Sequence, residues 1–120
     1  MSKRDYNLFL WDILDCIKRI EKYTKDYTQK RLAGNEMVAD AVVRNLEIIG
    51  EAVGKLPEVL KRNRPEVEWQ DIKDFRNLLT HEYFGGDLEI VWKIIEDDLP
   101  ILMDEIRQIM RTQSETPSAS

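Results

Sequence analysis

Arg76, Asn77, His81 and Tyr83 stand together in the stretch RNLLTHEYFGG, residues 76–86, and His81 is the only histidine of the chain. These side chains can act on a phosphodiester. A histidine with a pKa near ~6.5 gives or takes a proton near neutral pH. An arginine presents a planar fork that matches a phosphate and stabilises charge developing on it. RNA carries its own nucleophile, the 2′-hydroxyl, so no metal is obligatory. The same residues have quieter uses: a histidine near a helix C-terminus often serves as a cap, and arginine or asparagine on a helix is commonly solvated.

If one helix runs through Tyr83, then Arg76, Thr80 and Tyr83 share a face, and Asn77 and His81 share the next. Arg76 and His81 are then about 140° apart, at roughly 100° per residue, so they do not converge within one helix. The polar edge is flanked by the apolar residues Phe75, Leu78 and Leu79. Two such edges facing across a two-fold axis would gather two arginines and two histidines into one cleft, and this predicts a homodimer.

The elements that must position this edge read as helices. Leu10, Ile13, Leu14, Ile17 and Ile20 fall at the spacings of one helical face, which predicts a first helix from about Asp5 to about Lys25. The stretch RLAGNE holds a break, and Asn35 suits the N-cap of a second helix carrying Val38, Ala41, Val42, Ile49, Val53 and Leu56. Pro57 suits the first turn of a short helix over 57–62. A third helix starts near Trp69 or Gln70, buries Ile72, Phe75, Leu78 and Leu79, and ends at Gly85–Gly86. A fourth follows Asp87, with Val91, Ile95, Leu99, Leu102, Ile106 and Ile109 along it and a kink near Pro100. No segment alternates with period two. The expected fold is all-α: an up-and-down bundle of four main helices with a short extra helix at 57–62. One domain is expected over 1–111, followed by a disordered tail over 112–120, where TQSETPSAS is small and polar.

The chain of 120 residues has a net charge of −5, which argues against indiscriminate nucleic-acid binding. The charge is uneven. Residues 3–31 carry eight Lys/Arg against five Asp/Glu, whereas residues 66–98 carry three against ten. Solvated helix faces produce such runs, and so do partner-binding patches. One cysteine, Cys16, excludes an internal disulfide, and one cysteine with one histidine makes a poor transition-metal site, so neither metal nor other cofactor is expected. No apolar run is long enough for a membrane span, and the N-terminus lacks the uninterrupted core of a signal peptide. The expected compartment is the cytoplasm.

RNLLTHEY resembles the R-x4-H-x-Y motif of the HepT-like toxins, in the HEPN (higher eukaryote and prokaryote nucleotide-binding) superfamily. The flanks are similar as well. YNLFLWDILDCIKRIEKY resembles the family's first helix, and AVVRNLEIIGEAVGKLP its second, with the Ile-Gly-Glu-Ala step. PEVEWQDIKDFRNLLTHEYF matches the approach to the motif, and LEIVWKIIEDDLPILMDEI the last helix with its Leu-Pro. The resemblance extends over residues 6–106.

It implies a dimeric helical toxin, a metal-independent RNase of a type II toxin–antitoxin pair. The motif pair would lie at the dimer interface. A minimal nucleotidyltransferase (MNT) antitoxin would silence the toxin by attaching AMP to the motif tyrosine. Carried over, Arg76 and His81 are the catalytic pair, Asn77 orients the substrate or the histidine, and Tyr83 is the AMPylation target. Glu82 departs from the pattern, standing where many relatives have glycine. The alternative is a non-catalytic helical subunit that docks or positions substrate for a nucleotidyltransferase. The intact Arg76/His81 pair favours the enzyme; Glu82 and the acidic surroundings favour the docking subunit.

Elsewhere, Gly50 is expected at a close helix–helix contact and Glu51 as a buried polar partner or a solvated residue. Arg44 is expected in a salt bridge, and Trp69 and Trp92 in the core. KRNR, residues 61–64, reads as a phosphate contact or an ordinary basic loop.

Overall fold

A computed structural model describes the backbone of residues 3–75 and 88–115, and the side chains of 6–75 and 88–112. Among the described residues every regular element is helical, as the absence of two-residue alternation predicts.

Helix α1 spans Lys3–Tyr23 and buries the expected stripe of Leu10, Ile13, Leu14, Ile17 and Ile20. It stops two residues before Lys25. The Thr24 hydroxyl donates to the Ile20 carbonyl (2.7 Å), and Asp26 takes φ 62°, a left-handed turn conformation that aspartate tolerates. A helix that the sequence pattern does not announce follows, α2 (Gln29–Ala33), with the Thr28 hydroxyl accepting from the Arg31 amide (3.1 Å) and Leu32 buried. Helix α3 covers Glu36–Gly54. Its N-cap is Asn35, as expected, whose Oδ1 accepts from the Val38 amide at 3.1 Å. Helix α4 is Glu58–Arg62, and Pro57 stands before its first turn with φ −60° and ψ 140°.

Helix α5 begins at Trp69 as expected but closes at Lys73, with a turn at Asp74 before Phe75. The expected continuation through Leu78, Leu79 and Tyr83 to Gly85–Gly86, and the cap at Asp87, lie outside the described residues.

The last rod comprises α6 (Leu88–Lys93), a π-helical turn (Ile94–Asp98) and α7 (Leu99–Glu115). The Leu99 amide donates to the Ile94 carbonyl, five residues back rather than four. The disruption expected at Pro100 therefore takes this form. Proline has no amide hydrogen, and its ring crowds the carbonyl four residues before it, here Glu96; a wider turn relieves that crowding. The buried positions run Val91, Ile94, Leu99, Leu102, Ile106 and Ile109. Ile94 takes the place expected of Ile95, which is only half-buried, because the wide turn inserts one extra residue. Helix α7 also passes the boundary expected at 111 and reaches Glu115.

Directions follow from contacts. The Lys55 ammonium lies 5.3 Å from the centre of the Phe9 ring, so the end of α3 meets the start of α1 and the two are antiparallel. A Cβ on Gly54 would touch the Lys73 side chain at 3.6 Å, and one on Gly50 the Phe75 Cβ at 3.7 Å, so α5 runs back along α3. The Lys61 ammonium donates to the Val53 carbonyl (3.3 Å), which ties α4 to the end of α3. Arg64, just beyond α4, pairs with Glu105 of α7 (2.8 Å). Helix α7 thus runs against α1, on which it packs, while α6 packs on α2 at the other end. This alternation is the expected up-and-down sense. One core joins these elements, with Leu46 and Ile49 of α3 and Leu102 and Ile106 of α7 among its fully buried side chains. No helix among the described residues is long and apolar enough to cross a membrane.

Candidate active site

The approach to the motif is fixed from α3. A Cβ at Gly50 would stand 3.0 Å from the Ile72 carbonyl oxygen and 3.4 Å from that of Lys73. Only glycine lets the backbone of α5 come this close without displacement, which bears out the close contact expected at Gly50. Phe75 is buried beside it and anchors the chain one residue before Arg76. On the far side of the motif, Val91 is buried and Leu88 partly so. Arg76, Asn77, His81 and Tyr83, with Glu82 between the last two, lie outside the described residues.

Helix α5 separates charge. A cleft of about 400 Å³ between α5 and the last rod is lined by Asp71, Asp74 and Phe75 on one side and by Ile90, Lys93, Ile94 and Asp98 on the other. Burial pushes the Asp98 carboxyl above the usual aspartate range, and repulsion from Asp97, Asp71 and Glu68 adds to this, while Lys93 opposes it. The opposite flank of α5 forms a second groove, of about 380 Å³, with α4. Trp69, Gln70 and Lys73 face Glu58, Lys61 and Arg62 across it, with Pro65 between. The spacing explains the split: Trp69 and Lys73 (i, i+4) share one flank, and Asp71 and Asp74 (i, i+3) the other.

The structure divides the KRNR cations. Lys61 is buried, bonded to the Val53 carbonyl and paired with Glu58 at 3.3 Å. Arg64 holds Glu105 and also donates to Gln108 (3.2 Å). Both act in the fold rather than as phosphate contacts. Arg62 is exposed and enters no ion pair among the described residues. Arg44 forms none among them either, so the salt bridge expected there is not seen among the described residues. Trp69 and Trp92 are half-buried against the core, as expected, and the Trp69 indole N–H donates to the Arg64 carbonyl (2.9 Å). Glu51 is exposed. Cys16 is buried, and burial raises its thiol pKa. The pairing of Lys73 with Arg62 across a groove is not legible in the sequence. The spacing of Trp69 and Lys73 is its one visible signal.

A family profile described as ribonuclease HepT-like matches residues 13–109, a span that includes Arg76, Asn77, His81 and Tyr83. A protein of Methanocaldococcus jannaschii provisionally named an RNase (MJ1380) is 40% identical over 106 residues, covering 88% of this chain and 97% of its own. A protein of Thermococcus cleftensis named "Probable ribonuclease HepT" is 34% identical over 109 residues, 91% of this chain and 99% of its own. A third relative, from Caldanaerobacter subterraneus and also provisionally named an RNase, is 40% identical over 99 residues, 82% of this chain and 88% of its own. No solved structure matches the chain significantly. The expected resemblance is therefore shown across most of the sequence: the chain belongs to the ribonuclease HepT-like family.

Proposed function

We propose that this HepT-like ribonuclease is the toxin of a type II toxin–antitoxin pair and cuts RNA without a metal. The observation that carries the reading is the complete Arg76–His81–Tyr83 pattern inside the span matched by the family profile. His81 takes the proton of a 2′-hydroxyl as that oxygen attacks the adjacent phosphorus. Arg76 stabilises the charge on the phosphorane-like state, and Asn77 orients the substrate or the imidazole. The bond to the 5′-oxygen breaks, and that oxygen leaves with a proton from an imidazolium. The products are a 2′,3′-cyclic phosphate and a 5′-hydroxyl. The active species is a homodimer, in which the motifs of two chains share one cleft. A cognate MNT nucleotidyltransferase transfers AMP from ATP to the Tyr83 hydroxyl, releasing pyrophosphate. The added phosphate, brought toward Arg76, excludes RNA by charge and bulk.

The test is cleavage of a defined RNA in EDTA, with end analysis. The expected result is cyclic phosphate ends, and a loss of about 10²- to 10⁴-fold in rate for His81→Ala. Cleavage that needs added magnesium, or a His81→Ala variant as active as wild type, would overturn the mechanism. A wild-type protein that neither cuts RNA nor arrests growth would favour the docking-subunit alternative.

A further inference from the structure

The groove between α4 and α5 holds two exposed cations with no ion-pair partner among the described residues, Arg62 and Lys73. The other cation of its lining, Lys61, is committed to Val53 and to Glu58, the one carboxylate of the groove. The groove is therefore locally basic in a chain of net charge −5. Its two free cations differ in preparation. The Lys73 stem lies over Gly54, whose added Cβ would meet Cγ and Cε at 3.6 Å and Cδ at 3.8 Å. Packing of the stem lowers the entropy lost when the ammonium binds an anion. Arg62 supplies the fork that grips a phosphate. Trp69, half-buried, lines the same groove, its indole N–H tied to the Arg64 carbonyl so that the ring is held. Cations tracking a backbone beside an aromatic ring are the working parts of a single-strand binding surface.

Connectivity places this groove near the chemistry. Arg76 follows Lys73 by three residues, and a chain of that length spans at most about 11 Å. The cleft on the other flank of α5 carries Asp71, Asp74 and Asp98 against Lys93, and would repel a phosphate backbone. One side of α5 is thus lined mainly by cations and the other mainly by carboxylates.

We infer that the α4–α5 groove is the track for single-stranded RNA next to the cleavage site, with Arg62 and Lys73 holding backbone phosphates and Trp69 stacking on a base. This rests on the RNase reading above. Arg62 and Lys73 touch RNA away from the reacting atoms, so they set affinity and strand polarity rather than the chemical step.

The test uses the full chain and two probes: a cleavable RNA oligonucleotide, and the same sequence with 2′-O-methyl groups, which binds but cannot react. For Arg62→Ala/Lys73→Ala, KM and the Kd of the inert oligonucleotide should rise about five- to tenfold, with kcat within about twofold. The salt slope of log Kd should fall by about 1.4, near 0.7 for each single-strand phosphate that the variant no longer neutralises. Lys73→Glu should weaken binding further, Lys73→Arg should restore it, and Lys30→Ala on α2 should match wild type. All substituted side chains are exposed, and circular dichroism melts verify folding. If wild type cuts RNA but these variants keep its KM, Kd and salt slope, or lose kcat alone, the track is wrong and the RNase reading stands. If wild type neither binds nor cuts RNA, the RNase reading falls and the track with it.

Discussion

Gly50 and Phe75 meet where α3 crosses the chain just ahead of the motif, with 3.7 Å between a Cβ placed on the glycine and the Cβ of the phenylalanine. The tighter contact is to backbone: the Ile72 carbonyl oxygen at 3.0 Å cannot rotate away as a flexible side chain would. The separation between α3 and the segment that delivers Arg76 is thus set by a missing methyl group.

Gly50→Ala should therefore push α5 off α3. We expect a loss of about 1–3 kcal/mol in unfolding free energy, the usual cost of overpacking, together with reduced RNA cleavage. Gly34→Ala is the control. Its φ is −86°, and its added Cβ would meet only Arg31 and Lys30 carbonyls at 3.6 and 3.7 Å, ordinary contact distances. Denaturant melts and cleavage assays on both variants check this; equal stability would show that α5 adapts freely.

Arg64→Ala should destabilise the fold without touching RNA affinity. Its guanidinium pairs with Glu105 at 2.8 Å, where both side chains are mostly covered (23% and 13% exposed), and bonds Gln108 as well. Removing it strands a partly buried carboxylate, at a cost of about 1–3 kcal/mol. Chemical denaturation and oligonucleotide binding measured side by side separate Arg64 from its neighbour Arg62, which the track proposal predicts will behave the opposite way.

The periodic parts of this fold were legible in sequence, and the reasons for the misses are physical. The stripe of α1 and the cap at Asn35 are local patterns, written in spacing and in one side chain. Helix α2 escaped because five residues with one buried apolar side chain, Leu32, carry no period; only Thr28 before it and Gly34 after it marked its ends. The π-turn escaped because Val91, Ile95 and Leu99 are spaced as an ordinary helix would space them, and Pro100 signalled a disruption without saying on which side it falls. The KRNR cations were ambiguous because a basic residue's partner is set by tertiary approach. Nothing local to Lys61 or Arg64 announces Val53 or Glu105. The flanks of the motif carried the family resemblance that the profile match bears out, while the motif itself suggested a chemistry through residue types and spacing and lies outside the described residues.

Asp98→Asn should stabilise the protein at neutral pH. The carboxyl's pKa is raised in the folded state, by burial first and then by Asp97, Asp71 and Glu68. A raised folded-state pKa means that the folded form holds its proton more tightly than the unfolded form does. The carboxylate's penalty is therefore absent below the unfolded pKa and grows as pH rises through the folded one. Thermal melts from pH 3 to pH 8 should show the variant gaining over wild type as pH rises, with the gap closing at the acid end. A gap constant across that range would mean that Asp98 is not the titrating group.

Under the proposed mechanism, Tyr83→Phe should keep RNA cleavage within about threefold of wild type, because that mechanism assigns proton transfer to His81 and needs no phenol. Incubated with the partner nucleotidyltransferase and ATP, wild type should gain the mass of one AMP and lose activity, and the variant should do neither. Intact mass spectrometry with a paired cleavage assay decides it. A variant that gains AMP as readily as wild type would move the modification to another residue.

The wide turn at Ile94–Asp98 has a consequence for how the last rod can change. Helix α6 answers to α2 and α7 answers to α1, and the two obligations are out of phase by about one residue, roughly 100° of rotation. The turn absorbs that difference as a differential joins two shafts. Straightening it into a regular helix without shortening the chain would swing Leu99, Leu102 and Ile106 out of the core and carry Glu105 away from Arg64, whereas deleting one residue along with the turn would space the buried positions 3, 4, 3, 4 and 3 apart and keep them on one face. The surplus residue and the wide turn compensate each other, so the register between the two ends of the molecule survives when both are present or both are gone, and fails when one is kept without the other.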